Sequence, residues 1–279
     1  MTAKSLDLTV PTLGPCEVPS PLVKKGRNFI DETIRIRVER RIGKERLELG
    51  EQAFEEAGPQ REVFFNPAET TAAFVTCGGL SPGLNNVIRS GFLELTYNYG
   101  VKRVLGIRNG YAGLNPDTGL EPIFLTQRAV QSIHHLGGTV LGSSRGMHEP
   151  AILVDFMEAR EIDILFCIGG DGTQRGAHAI QQEIHKRGLP KSIIGIPKTI
   201  DNDVAGTDQT FGFDTAVGVV ADACHRLIDT AESHHRVMIA EVMGRDAGHI
   251  ALHGALAGSA DSALIPEIPY DPEKIAAVV

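Results

Sequence analysis

The sequence predicts an α/β chain with mainly parallel sheet, and three observations carry that prediction. Short apolar runs recur at AAFVTC (72–77), VKRVLGI (101–107), IDILFCI (162–168) and SIIGI (192–196). They are nearly continuous rather than alternating, as strands covered on both faces are. Stretches of helical length separate them, the order expected of β-α-β units. Most of the runs also close on a glycine-rich or acidic turn, which puts ligand loops at the carboxyl edge of a parallel sheet.

Taken in order, residues 1 to about 22 carry Pro and Thr without a period and read as an extended arm. Residues 23–62 are dense in charge (Lys24, Lys25, Arg27, Asp31, Glu32, Arg35, Arg37, Glu39, Arg40, Arg41) and read as a solvated helix or an interaction arm. Ala57-Gly58-Pro59 breaks any helix there. The first strand follows at 72–77, then a helix over Asn85–Tyr97, a strand at 101–107 and a helix over 129–137. A helix at 152–162, a strand at 162–168 and a helix over 176–188 come next, the last closed by Gly188. A strand at 192–196, a long helix at 214–233, a strand at 237–243, a helix at 248–258 and a strand at 263–266 complete the pattern. Asp271-Pro272 is a helix start, with Asp as cap and Pro in the first turn. The chain reads as ending inside that element.

With 279 residues, 42% hydrophobic and 22% charged, the chain is long enough for one large α/β domain or two ordinary ones and is not a disordered sequence. A net charge of −8 argues against a general binder of nucleic acid or anionic membrane. Trp is absent and aromatics make up 5%, which argues against a base-stacking surface. No apolar run reaches the roughly 18 residues of a membrane span. Met1–Val10 has neither the charged start nor the apolar core of a secretory signal. Cys16, Cys77, Cys167 and Cys224 form no C-x-x-C pair, so reduced thiols in a cytoplasmic enzyme are expected, with Cys77 and Cys167 as small buried residues.

Several turns carry chemistry. Cys77-Gly78-Gly79-Leu80-Ser81-Pro82-Gly83-Leu84-Asn85 joins strand to helix. Its glycines allow backbone N–H groups to approach a phosphate, and a plain tight turn is the other reading. Gly169-Gly170-Asp171-Gly172-Thr173 sets a carboxylate among glycines. That suits a magnesium-bound phosphate chain, or Asp171 is a simple helix cap. Pro197-Lys198-Thr199-Ile200-Asp201-Asn202-Asp203 places a hydroxyl and two carboxylates beside a Lys. Asp201 is positioned to take a proton from an alcohol, Thr199 to hold a phosphate and Lys198 to offset transferring charge. Met243-Gly244-Arg245 and Gly142-Ser143-Ser144-Arg145-Gly146 each offer an Arg fork for phosphate, or simply a surface Arg.

As a series these blocks resemble the phosphofructokinase family: GGLSPGLN, GIRNGYAGL, LGSSRG, GGDGTQRGA, GIPKTIDND, TFGFDTAV, HHRVMIAEVMGRDAGHIAL and IPE stand in family order from about Ala72 to Glu267. GGDGTQ with PKTIDND and the upstream AGPQREVFFNP is similar to the plant-type and kinetoplastid-type ATP-dependent branch. The resemblance implies two Rossmann-like domains with mainly parallel sheets, the second incomplete. An N-terminal extension would span 1–69, an ATP–Mg²⁺ domain 70–211 and a partial sugar-phosphate domain 212–279. It implies phosphorylation of the 1-hydroxyl of fructose 6-phosphate by ATP in glycolysis, with no nucleic-acid or membrane partner. Gly78, Arg145, Gly146, Gly170, Asp171, Gly172 and Thr173 would bind nucleotide, Asp171 holding Mg²⁺ and Gly172 selecting the donor. Thr199, Ile200, Asp201, Met243, Gly244 and Arg245 would meet the sugar phosphate, with Asp201 and Lys198 in the catalytic roles. Arg236 would serve a neighbouring subunit's sugar site, making a homo-oligomer, dimer or tetramer. Complete family members continue beyond the IPE block into an acidic residue and a late His/Arg cluster, so the resemblance also implies a chain that stops short. Three rivals stand beside this reading: a pyrophosphate-dependent phosphofructokinase, which usually carries Asp where this chain has Gly172; the NAD and diacylglycerol kinase group, which shares GGDGT but lacks the later blocks; and a non-catalytic subunit of the same fold.

Overall fold

The structure is a computed structural model that describes residues 8–37, 53–146 and 148–278. Glu39, Arg40 and Arg41 of the charged run lie outside the described residues. In chain order, β1 (Val18–Pro19), β2 (Arg35–Arg37), β3 (Ala53–Glu55) and β4 (Glu62–Val63) precede the main sheet. Then come β5 (Thr71–Thr76), α1 (Leu84–Leu93), β6 (Arg103–Ile107), β7 (Ile123–Phe124), α2 (Gln127–Val130) and α3 (Pro150–Ala159). β8 (Ile164–Gly169), α4 (Asp171–Lys186) and β9 (Ser192–Pro197) close the sheet. α5 (Phe213–His234), α6 (His249–Ala257) and α7 (Pro272–Val278) follow it.

The central sheet has five strands in the order β7-β6-β5-β8-β9. All neighbours are parallel except the β6–β7 edge. β5 is buried along its whole length, and the pleat sends alternate residues to opposite faces. Ala73 and Val75 join Leu105, Leu153, Met157, Leu165 and Ile180 on the face covered by α3 and α4. Ala72 and Phe74 join Ile88, Phe92, Val104 and Leu141 on the face covered by α1. Each fully buried Leu, Ile or Phe of this kind contributes roughly 1.5–3 kcal/mol. A mixed α/β fold with a mainly parallel sheet is therefore what the chain adopts.

The strands at 72–77, 101–107, 162–168 and 192–196 fall where the sequence places them, within one or two residues. Other elements differ. In its described part the charged run has a 3-10 turn over Pro21–Lys25 but no α-helix. Its Arg35-Ile36-Arg37 alternates at a period of two, and it pairs antiparallel with Ala53–Glu55. The N-terminal arm is not free either: Val18–Pro19 pairs with Glu62–Val63, and Ser20 N–H bonds Arg61 O at 2.8 Å. The helix expected to Tyr97 is α-helical to Leu93 and continues as a π-helical turn over Glu94–Tyr99, stopped by Gly100 in the left-handed region. The helix expected over 129–137 shortens to α2 plus a 3-10 turn at Ile133–His135.

The expected strands at 237–243 and 263–266 do not form among the described residues. A strand needs a neighbour for its backbone groups, and neither segment pairs with a strand among the described residues. Val237, Ile239 and Met243 are 62%, 90% and 71% exposed accordingly. Residues 212–278 thus contribute α5, α6 and α7 and no strand.

Candidate active site

The site forms at the carboxyl ends of β5, β8 and β9, where the loops are tied to each other by backbone and buried polar side chains. After Thr76 the chain enters Cys77-Gly78-Gly79, with Gly78 at φ 81, a left-handed conformation that favours glycine. Gly78 N–H donates to Ser144 O at 3.0 Å, and Ser143 Oγ donates to Gly78 O at 2.7 Å. Thr76 Oγ1 donates to Gly142 O at 2.7 Å. Asn85, buried, donates to Leu136 O at 3.0 Å and accepts from Val140 N–H at 2.9 Å. These bonds hold the Arg145 loop against the Gly78-Gly79 loop. A Cβ at Gly79 would lie 3.7 Å from Arg145 Nη2. Gly146 is at φ 140 and exposed.

β8 ends at Gly169 and α4 begins at Asp171. Gly170, not Asp171, occupies the cap position, and no side chain caps this helix. The Asp171 carboxylate is exposed at the first helical residue, beside the positive end of the helix dipole. A Cβ at Gly172 would meet nothing within 4 Å among the described residues. Thr173 is buried, its Oγ1 3.9 Å from a Cβ built on Gly78. Tyr111 donates its hydroxyl to Thr173 O at 2.8 Å from below. Burial raises the Tyr111 hydroxyl's pKa, and it pushes the neighbouring Cys77 and Cys167 thiols up to about 12, so both stay protonated at neutral pH.

β9 delivers the acceptor loop. Lys198 is 5% exposed, and its Nζ donates to Gly79 O while its N–H donates to Gly169 O at 3.0 Å. Burial and the nearby Arg145 push the Lys198 ammonium down, partly offset by Cys77 and Asp201. Asp201 N–H donates to Thr199 Oγ1 at 3.0 Å, and Thr210 Oγ1 donates to Thr199 O at 2.7 Å. Asn202, left-handed at φ 55, accepts Thr210 N–H at 2.8 Å. Ile200 is half-buried between them. Asp201 Oδ1 is buried and has no hydrogen-bond partner among the described residues. Burial and the Asp203 charge push the Asp201 carboxyl up, while Arg245 and Lys198 pull the other way.

Arg245 reaches Asp201 from far along the chain. α5 has 22 residues and runs outward for roughly 33 Å. Residues 236–242, in no helix or strand, lead from there to Met243-Gly244-Arg245. Met243 is exposed at this end. Gly244 is at φ 147, and a Cβ there would lie 2.4 Å from Ala247 O. Arg245 itself is left-handed at φ 53. Glu267 Oε1 accepts Gly248 N–H at 2.8 Å and so fastens 265–267 to the start of α6.

Gly78, Arg145, Gly170 to Thr173, Lys198, Thr199, Asp201 and Arg245 therefore gather at one sheet edge. Arg236 does not: it follows the distal end of α5, exposed, its N–H bonded to Ala231 O at 3.0 Å. Asn85, Tyr111, Gln174 and Glu267 were not singled out from the sequence, although each lies inside a quoted block. Their one signal is a polar or amphipathic side chain beside a glycine turn.

A model of the phosphofructokinase family matches residues 71–279. An ATP-dependent 6-phosphofructokinase of Entamoeba histolytica is 49% identical over 214 residues, 76% of this chain and 49% of that protein. One from Amycolatopsis methanolica is 43% identical over 97% of this chain and 61% of its own length. One from Trypanosoma brucei brucei is 46% identical over 78% of this chain and 45% of its own. A solved structure of a pyrophosphate-dependent phosphofructokinase from Marinobacter aquaeolei superposes with a TM-score of 0.65 at 29% identity, over 75% of this chain and 56% of that one. The chain thus spans about half to three-fifths of the length of these relatives.

Proposed function

The chain belongs to the phosphofructokinase family, and from that premise we propose that it transfers the γ-phosphoryl group of ATP to the 1-hydroxyl of fructose 6-phosphate. Asp201 carries the reading: a buried carboxylate oxygen with no hydrogen-bond partner among the described residues, in the field of Lys198 and Arg245. Such an oxygen is ready to accept the proton of an attacking alcohol. The alcohol oxygen forms the new O–P bond, the bond from γ-phosphorus to the bridging oxygen breaks, and ADP leaves with that electron pair. Lys198 and the nucleotide-side Arg145 offset the charge that develops. Gly78, Gly146, Gly170, Gly172 and Thr173 frame the phosphate chain. Thr199, Ile200, Met243, Gly244 and Arg245 frame the sugar phosphate.

Asp171 is the residue that would hold Mg²⁺. An exposed carboxylate at a helix start, with open space at Gly172, would suit a hard cation with a preference for oxygen ligands. Bound there, Mg²⁺ supplies charge neutralisation across the phosphates. We place the reaction in the cytoplasm, where free thiols such as the chain's four cysteines persist. The working unit is a homo-oligomer in which Arg236, too far from its own site, serves a neighbour. The boundaries 1–69, 70–211 and 212–279 remain our division of the chain into extension, nucleotide and sugar-phosphate parts.

The test is incubation of the chain with Mg²⁺, fructose 6-phosphate and either ATP or pyrophosphate, with products read by phosphorus NMR. Fructose 1,6-bisphosphate from ATP is expected. Product from pyrophosphate alone would overturn the donor, and no product from either would overturn the proposed activity for this chain.

A further inference from the structure

The donor and acceptor loops share a tie that no catalytic role explains. The β8–β9 ladder ends at the pair Gly169↔Pro197, and Pro197 has no N–H to donate. Gln174, on the first turn of α4, reaches back across this end. Its Nε2 donates to Gly169 O at 2.8 Å and to Ile196 O at 3.2 Å. Gly169 O also accepts Lys198 N–H at 3.0 Å. One carbonyl therefore collects the Gln174 amide and the backbone of the Lys198 loop. Gly195 makes room for the amide: a Cβ there would lie 2.2 Å from Gln174 Oε1. The loops meet closely beyond the tie, since a Cβ at Gly170 would lie 3.3 Å from Lys198 O.

We infer that Gln174 is a positioning residue that sets the spacing between the Gly170–Thr173 donor loop and the Lys198–Asp201 acceptor loop. The inference rests on the phosphoryl-transfer reading above. Reacting atoms must be held about 3–3.5 Å apart and in line, so a small slip between these loops acts on transfer before it acts on binding. Its Nε2 is taken up by the Gly169 and Ile196 carbonyls at the ends of β8 and β9, so its part in transfer is to hold the two loops in place. A loosened register also leaves the donor phosphoryl group open to water in place of the sugar hydroxyl.

The experiment compares Gln174→Ala, Gly195→Ala and the double variant with wild type. Gln174→Ala is expected to lower kcat for transfer by about tenfold while KM for ATP changes by less than about twofold. The share of ATP that ends as inorganic phosphate should rise. Independently of turnover, the Lys198 amide should exchange with solvent at least about tenfold faster, with Ile184 in the body of α4 unchanged. Gly195→Ala alone should reproduce these effects by displacing the amide, and should add nothing in the Gln174→Ala background. A Lys198 amide protected as in wild type, or effects of the two substitutions that simply add, would overturn the inference. A wild-type chain without turnover counts against the reaction and not against the tie, which the exchange comparison decides by itself.

Discussion

Asp201 sits between charges of both signs, and its position sets opposite demands on stability and activity. Its carboxyl is held above the ordinary aspartate range, first by burial and then by Asp203. A carboxylate whose folded pKa exceeds its unfolded value loses stability as pH rises through that interval, so at neutral pH the ionised group destabilises the fold. Asp201→Asn is therefore expected to raise the denaturation midpoint while lowering kcat by about 10²–10⁴. A variant with over half of wild-type turnover would remove Asp201 from the base role. The acid limb of the activity profile should lie above the ordinary aspartate value of about 3.9, and Asp203→Asn should move it to lower pH. At the donor loop, Gly172 has open space and an unremarkable backbone, so Gly172→Asp fits without strain. Its effect is then one of charge. Two like charges about 4 Å apart repel by roughly 4 kcal/mol at an effective dielectric of 20. A fall in kcat/KM for ATP of at least about tenfold, or roughly 1.4 kcal/mol, is expected with an unchanged melting temperature. An ATP-indifferent variant would refute the charge argument.

Among the elements, two helical glycines separate propensity from packing. Gly218 lies inside α5, and a Cβ there meets nothing within 4 Å. Gly218→Ala should stabilise by about 1 kcal/mol through helix propensity alone. Gly91 lies inside α1, but a Cβ there would stand 2.5 Å from the Phe74 ring. That ring is 1% exposed and stacks on Phe166 with centroids 4.8 Å apart, so it has little room to yield. Overpacking costs about 1–3 kcal/mol against a propensity gain of about 1 kcal/mol, and Gly91→Ala should be net destabilising. Urea unfolding of both variants decides it: two shifts of the same sign would mean the Gly91 contact does not govern. The sequence marks both positions only as glycines in helical pattern. What distinguishes them is packing: α1 rests on β5 at Phe74, whereas α5 has open space at Gly218.

At the scale of the molecule, the two parts of the chain meet where Arg245 acts on Asp201, while Arg236, Val237, Ile239 and Met243 face outward. An oligomer that shares sites makes a definite prediction. Arg236→Ala and Asp201→Asn should each be nearly inactive alone. In a symmetric dimer assembled from both variants, the hybrid carries one site with both residues intact, and co-expression should recover about a quarter of wild-type turnover. Recovery of none would mean that Arg236 does not act across an interface. No helix among the described residues is long and apolar enough to cross a membrane.

Read as a string of residues, the chain reveals what is local. The four parallel strands, the loops at their carboxyl ends and the grouping of Gly78, Asp171, Lys198 and Asp201 follow from apolar runs and turn chemistry, which act within a few residues. Cys77 and Cys167 were legible as buried for the same reason. Folding in three dimensions settled what depends on a distant neighbour. It folded the N-terminal arm into short antiparallel pairs, left 237–243 outside every sheet among the described residues, and brought Arg245 near Asp201 after the long excursion of α5. It also assigned Gln174 to the carbonyls of Gly169 and Ile196, a contact visible only when helix and strands are set side by side. Strand pairing and side-chain ties satisfy backbone groups across the fold, and one-dimensional spacing does not record which group will be there to meet them.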